Sequence, residues 1–234
     1  MLIDMHAHSS GISLCSSVNY QQAVDEAKKN GIEGLILTNH YQKAYLSKYD
    51  SVEAFVAKYH EEYRKAKSYG ESVGVKVYYG IEITYEKINM VHLLAYGVGE
   101  EFLLAHPFVF DYTLEQIYDA VHSFGGILVQ AHPFRCVDKL VDTAYLDGVE
   151  ISCHPKYYTT SSQKVKEVAK EKNLLNTCGA DYHGDVSYRP ICGLVVDGVP
   201  QNINEIVDIL TSNKPKTLLI HELFAEKPDR YSYN

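Results

Sequence analysis

A chain of 234 residues, 46% hydrophobic and 22% charged, has the make-up of one ordinary globular domain, long enough to close an α/β barrel. Its net charge of -8 lacks the basic surface that long nucleic acids require, although bound cations would still admit a small phosphorylated ligand. Five cysteines without a Cys-x-x-Cys pair indicate neither a disulfide framework nor a thiolate zinc site, and no apolar run nears the ~20 residues that span a bilayer, so a reducing cytoplasm is expected.

In chain order, residues 2–6 read as a strand where a signal peptide would need its apolar region. Residues 19–30 read as a helix closed by Gly31, and 34–38 as a second strand. A charged helix over 52–73 carries Val52, Phe55, Val56, Tyr59 and Tyr63 near helical spacing. Strands over 76–83 and 91–97 flank a turn at 86–89. Helix 113–124 opens on Thr113 and Gln116, a capping-box spacing. Then come strands 127–131 and 148–152, helix 161–172, strand 175–180, a strand-like run at 192–196 and helix 203–212. The tail 225–234 is polar, rich in tyrosine and given no role. Many of the twenty tyrosines are expected to keep their hydroxyls at the surface. This alternation predicts parallel β/α units in a single domain spanning 1–234.

Imidazoles and carboxylates recur at the ends of these apolar runs, where they can converge on one mouth. His6 and His8, two apart on a strand, point to the same face and can bind one metal or bridge two. Asp4, two residues earlier, is expected to orient an imidazole. Asp181 and His183 repeat the spacing late in the chain, with Gly179 and Gly184 suited to a close approach and a sharp exit. His40, His92 and His132 also border apolar runs, as does Glu82, whose carboxylate can bridge two cations. Each alone could be a surface or backbone-satisfied residue. Glu150 and His154 flank a strand end and could touch the same site, whereas His60 lies on a charged helical face and is read as solvated.

Taken together and in this order, these residues resemble the polymerase-and-histidinol-phosphatase (PHP) superfamily of metal-dependent phosphoesterases. The resemblance runs from Asp4-Met5-His6-Ala7-His8, through Thr38-Asn39-His40, Gly80-Ile81-Glu82, His92 and Ala131-His132-Pro133, to Asp181-Tyr182-His183. It implies a distorted (β/α)7 TIM-like barrel with two or three divalent ions (Zn, Mn or Fe) at its C-terminal mouth. By the same resemblance His6, His8, Glu82, His132 and Asp181 would hold a close metal pair bridged by Glu82. His40, His92 and His183 would complete the set with a third ion. The stretch 9–17 lacks the aspartate or histidine common there, which leaves Cys15 as a soft ligand or the third ion weak or absent. Asn39 stands where an aspartate is common.

The expected activity is hydrolysis of a small-molecule phosphate monoester, histidinol-phosphatase-like or acting on a nucleotide, by water activated between two cations. Asp181 and His183 are candidates for stabilising the leaving alkoxide, and Arg135 and Arg189 for gripping phosphate bidentately. Two other readings stand beside it. One is an amidohydrolase-type C–N hydrolase, which shares the His-x-His and late aspartate but needs a bridging lysine that no strand end supplies. The other is a PHP domain kept for structure or partner binding. Oligomeric state is not readable.

Overall fold

The structure is a computed structural model describing residues 1–135, 139–155, 162–184, 188–223 and 225–234. β1 (Leu2–Ala7) is buried at every position, as a strand covered on both faces must be. α1 (Tyr20–Lys29) starts on a reciprocal cap between Asn19 and Gln22 and buries Ala23, Val24 and Ala27. β2 (Gly34–Leu37) and the two-residue β3 (His40–Tyr41) precede α2 (Val52–Val73), which Ser51 caps and which turns Phe55, Val56 and Tyr59 inward. β4 (Lys76–Tyr79), β5 (Ile81–Thr84) and β6 (His92–Tyr96) follow, then α3 (Glu100–Ala105) and α4 (Leu114–Ser123), the latter opening on the expected Thr113–Gln116 box. The chain closes with β7 (Ile127–Gln130), β8 (Gly148–Ser152), α5 (Ser162–Lys172), β9 (Leu175–Gly179), β10 (Gly193–Val195), α6 (Ile203–Thr211), β11 (Lys216–Ile220) and β12 (Asp229–Tyr233). Position 161 of the expected helix 161–172 lies outside the described residues.

The strands form two six-stranded sheets, ordered β12-β11-β10-β1-β2-β4 and β3-β5-β6-β7-β8-β9, with an isolated parallel bridge between Ala7 and Tyr182. The result is a mixed α/β fold that departs from uniformly parallel units. β5 pairs antiparallel with β6 because a turn as short as 85–91 cannot carry a crossover. β6 also runs antiparallel to β7, and β10, β11 and β12 form an antiparallel extension beside β1.

One of the expected strands divides between the sheets. The run 76–83 breaks at Gly80, leaving β4 in the first sheet and β5 in the second, just as Thr38 and Asn39 separate β2 from β3. A Cβ at Gly80 would lie 2.7 Å from the Ile36 side chain and 2.8 Å from that of Thr38, so the crossing is too close for any side chain. Tyr59, from α2, fastens both switch points, donating its hydroxyl to the Asn39 carbonyl at 2.6 Å and lying 3.2 Å from that of Gly80. With the hydroxyls of Tyr41 and Tyr96 also donating inward, to Pro107 and Met5 carbonyls, the expected surface role does not describe these tyrosines. The tail is likewise structured: Asp229–Tyr233 adds a strand along β11, with Tyr231 and Tyr233 stacked 5.6 Å apart. No helix among the described residues is long and apolar enough to cross a membrane.

Candidate metal centre

The two sheet switches set the site. Because both crossings end in register, His40 and Glu82 become direct partners in the β3–β5 pair, and His40 Nδ1 lies 2.6 Å from Glu82 Oε2. The other Glu82 oxygen lies 3.2 Å from His92 Nδ1 and 3.2 Å from His132 Nε2. His92 opens β6 rather than following it, and it reaches the same mouth because β6 runs antiparallel to β5. From β1, His6 Nε2 and His8 Nε2 approach to 3.0 Å, with Asp181 Oδ1 3.2 Å and 3.1 Å away from them respectively. β9 comes this close to β1 only because position 179 is glycine, where a Cβ would meet the His6 Cβ at 2.4 Å.

The ring nitrogens are oriented from outside the cluster. His6 Nδ1 pairs with Glu150 Oε1 at 2.8 Å, and the other Glu150 oxygen accepts the His132 amide at 3.0 Å. Ser13 gives its one hydroxyl hydrogen to Asn39 Oδ1 at 2.9 Å, so at 3.0 Å from His8 Nδ1 it must accept from that ring. Asn39 thus retains the acceptor role of an aspartate. Ser9 extends this network, taking a hydrogen bond from Asn39 Nδ2 at 3.1 Å and giving one to Glu62 at 2.8 Å. With both Nδ1 atoms donating outward, His6 Nε2 and His8 Nε2 present lone pairs toward each other and toward Asp181 and Glu82. Acceptors facing acceptors in a buried site are reconciled by a cation.

Several observations test whether the residues fit such ions. Ligand atoms of His6, His8, Glu82 and Asp181 all lie within 4.8 Å of one another, as do those of His40, Glu82 and His92 and those of His8, His40 and His183. His40 Nδ1 and Glu82 Oε2, both buried, lack an aligned hydrogen bond among the described residues. Backbone strain gathers here too, with His132 at φ 30° and Asp181 at φ 51°. The donor set, imidazole with carboxylate, suits Zn, Mn or Fe. The residues fit.

Charge follows the same geometry. Burial opposes ionisation of Glu82 and Asp181, yet neighbouring imidazoles, and Arg135 beside Asp181, hold both carboxyls well below their usual range. Burial also opposes a charge on His6, but Glu150, Asp181 and Glu82 outweigh it and raise its pKa, so the pocket favours positive charge at this ring. Burial and the adjoining His183 and His40 push His8 well down.

The remaining expected residues fall into different places. His183 lies at the mouth, its Nδ1 2.8 Å from the Asp181 carbonyl. Cys15 is exposed at the rim, and although burial of its thiol works the other way, hydrogen bonds with His183 and His40 bring it down to about 6. Arg135 bonds Asp181 Oδ2 and Ser152 Oγ. Arg189 does not reach the mouth. It is sealed in the interior, donating to Asp4 Oδ2 at 2.7 Å and the Ala23 carbonyl at 3.0 Å while lying 4.5 Å over the Tyr182 ring, so it has no face left to grip phosphate. Asp4 orients no imidazole either: its other oxygen accepts the backbone amides of His6 and Ala180 at 3.1 Å and 3.0 Å. His60 is buried near Glu100 rather than solvated. His154 is buried with its ring 6.3 Å from that of His183. Ser13 and Glu62 were not anticipated, since a serine in a ligand-free loop and a glutamate in a charged helix carry no signal. Cys153, Cys178 and Cys192, far apart in sequence, come together in the interior as free thiols.

Comparison with known proteins agrees with this geometry. The PHP domain profile matches residues 4–215. Phosphoribosyl 1,2-cyclic phosphate 1,2-diphosphodiesterase of Eggerthella lenta is 31% identical over 103 residues, which span 43% of this chain and 32% of that protein. The match thus spans about a third of that curated relative's length. Among solved structures, PsfC from Pseudomonas syringae is 19% identical with a TM-score of 0.64, covering 94% of this chain and 91% of its own. A candidate metal-dependent phosphoesterase from Bifidobacterium adolescentis is 16% identical with a TM-score of 0.53, covering 89% and 94%. An amidohydrolase from Chromobacterium violaceum, solved with sulfate and no metal, is 15% identical with a TM-score of 0.54, covering 89% and 96%. At such identities the structural likeness concerns the fold. The chain belongs to the PHP domain family of metal-dependent phosphoesterases.

Proposed function

We propose that this PHP-family chain hydrolyses a phosphate ester of a small molecule, using divalent ions held by His6, His8, Glu82, His132 and Asp181, with His40, His92 and His183 completing the ligand set. The observation that carries the reading is the convergence of buried ligand atoms from His6, His8, Glu82 and Asp181 within 4.8 Å of one another. We read the two sheets, linked at Ala7 and Tyr182, as the two parts of the distorted (β/α)7 barrel that the resemblance implies.

When bound, the ions would supply Lewis acidity toward the phosphoryl oxygens and make a water acidic enough to act at neutral pH. The chain's own groups do the rest. Glu150 and Ser13 fix the His6 and His8 rings so that Nε2 faces inward. Arg135, beside Asp181 at the mouth, is placed to grip phosphoryl oxygens. Where the third ion is absent, His183, its Nδ1 tied to the Asp181 carbonyl, would be the group that returns a proton to the leaving oxygen from Nε2. Burial of Glu82 and His6 keeps competing water from the inner ligands.

The substrate class is set by a screen. Protein loaded with Mn2+ or Zn2+ is incubated with p-nitrophenyl phosphate, sugar and nucleotide monophosphates, histidinol phosphate and a ribose cyclic phosphate, the last prompted by the Eggerthella lenta relative. Phosphate ester cleavage that disappears with a chelator and in Glu82→Ala is the expected result. Turnover of amides but no phosphate ester would point to C–N hydrolysis, and metal uptake without any turnover to a non-catalytic domain.

A further inference from the structure

We propose that Cys153, Cys178 and Cys192 form a separate site for a thiophilic cation such as Zn2+, at the seam between the two sheets. Their Sγ atoms all lie within 4.8 Å of one another, and those of Cys153 and Cys178 are 3.6 Å apart. Zn–S bonds of about 2.3 Å in tetrahedral geometry separate the sulfurs by roughly 3.8 Å, so the thiols already stand near the spacing such an ion requires. All three are buried, and the group contains neither imidazole nor carboxylate, which selects for a soft ion over Mg2+ or Mn2+.

The three residues come from different parts of the fold. Cys153 follows β8 and Cys178 lies on β9, both in the second sheet, whereas Cys192 directly precedes β10 in the first. The carbonyl of Leu219, on β11 of the first sheet, lies 3.3 Å from Cys178 Sγ and supplies a hard donor beside the thiols. The thiols of Cys178 and Cys192 lower the Cys153 thiol against the opposing effect of burial, and the His221 backbone acts in the same direction, which suits an anion there. Uptake balances as three thiols plus one divalent cation giving a tris-thiolate complex of net charge -1 and three protons released to solvent. Ionising Cys178 and Cys192 without the ion is opposed chiefly by burial, which the cation's own charge overcomes. A bound ion would join the sheets and brace the segment running from Cys178 through Gly179 to Asp181. The alternative is that three small apolar side chains merely pack together.

Cadmium separates the two, because sulfur-to-cadmium charge transfer absorbs in the ultraviolet whereas histidine and carboxylate coordination does not. A Cys15→Ala/Cys136→Ala variant keeps only the clustered thiols. Titrated anaerobically with Cd2+, it should develop the thiolate band at one equivalent above that taken by the histidine cluster, with a rise in melting temperature. Adding Cys178→Ala, or Cys192→Ala should the first not fold, should remove the band and that rise while cadmium still loads the histidines. Absence of the band once cadmium exceeds the uptake of the histidine cluster by more than one equivalent would overturn the proposal. So would a band present in the native chain that vanishes with Cys15→Ala alone.

Discussion

The mouth and the interior behind it both bury charge, yet they resolve it in opposite ways. In the interior, Asp4 receives two backbone amides and the Arg189 guanidinium, donors matched to one acceptor group. At the mouth, His6, His8, Glu82 and Asp181 aim acceptors at acceptors, and His132 and Asp181 hold positive φ. Buried charge therefore does not mark function by itself. Mutually repelling acceptors held in place from outside do, because a fold sustains that arrangement for something that is not part of the chain.

Mutation can break this contrast. Glu82→Ala or His6→Ala should bring turnover to background and lower metal content while circular dichroism stays native, since ligands at the mouth serve chemistry more than stability. Arg189→Met should do the reverse, removing about 3–5 kcal/mol of stability in denaturant melts by leaving Asp4 buried and unpaired, with little change in kcat of the folded fraction. Full stability in Arg189→Met would show that the interior pair is not structural. Glu150→Gln, which can keep only one of the bonds that hold the His6 ring and the His132 amide, should reduce metal affinity or activity by roughly 10–100-fold. Ser13→Ala should fall at the low end of that range, and an unchanged metal affinity would remove Ser13 from the account.

Smaller effects sharpen the rim. With its thiol at about 6, Cys15 should react with iodoacetamide at a rate that rises through pH 6 and is level by neutral pH, where an ordinary thiol is still mostly protonated. Added Zn2+ should slow that reaction if Cys15 ligates the third ion. A rate still rising above pH 8 would show that His40 and His183 do not act on it.

Much of this was legible in the chain. Helix positions followed from caps and spacing, as at Thr113 and Gln116, and strands such as 148–152 appeared as written. The convergence of these side chains was readable because imidazoles and carboxylates recurring at the ends of apolar runs are carried to one mouth by the fold. What could not be read were long-range relations. The run 76–83 reads as one continuous strand, with only Lys76 and Glu82 charged, so nothing local reports that Gly80 carries the chain from one sheet to another. Period-two alternation of Tyr231 and Tyr233 was the one sign of β12, and it was obscured by a polar, charged context. Arg135 and Arg189 look alike in sequence. Only the packing of Tyr182 and Asp4 around one of them separates a group at the mouth from an interior strut.

The most direct test is a crystal structure of the Mn2+- or Zn2+-loaded protein, with anomalous scattering at the metal edge to place the ions. We predict ions coordinated by His6, His8, Glu82 and Asp181 and by Glu82 with His40 or His92, with Glu82 common to both. Ions bound elsewhere, leaving His6, His8 and Glu82 uncoordinated, would contradict the account.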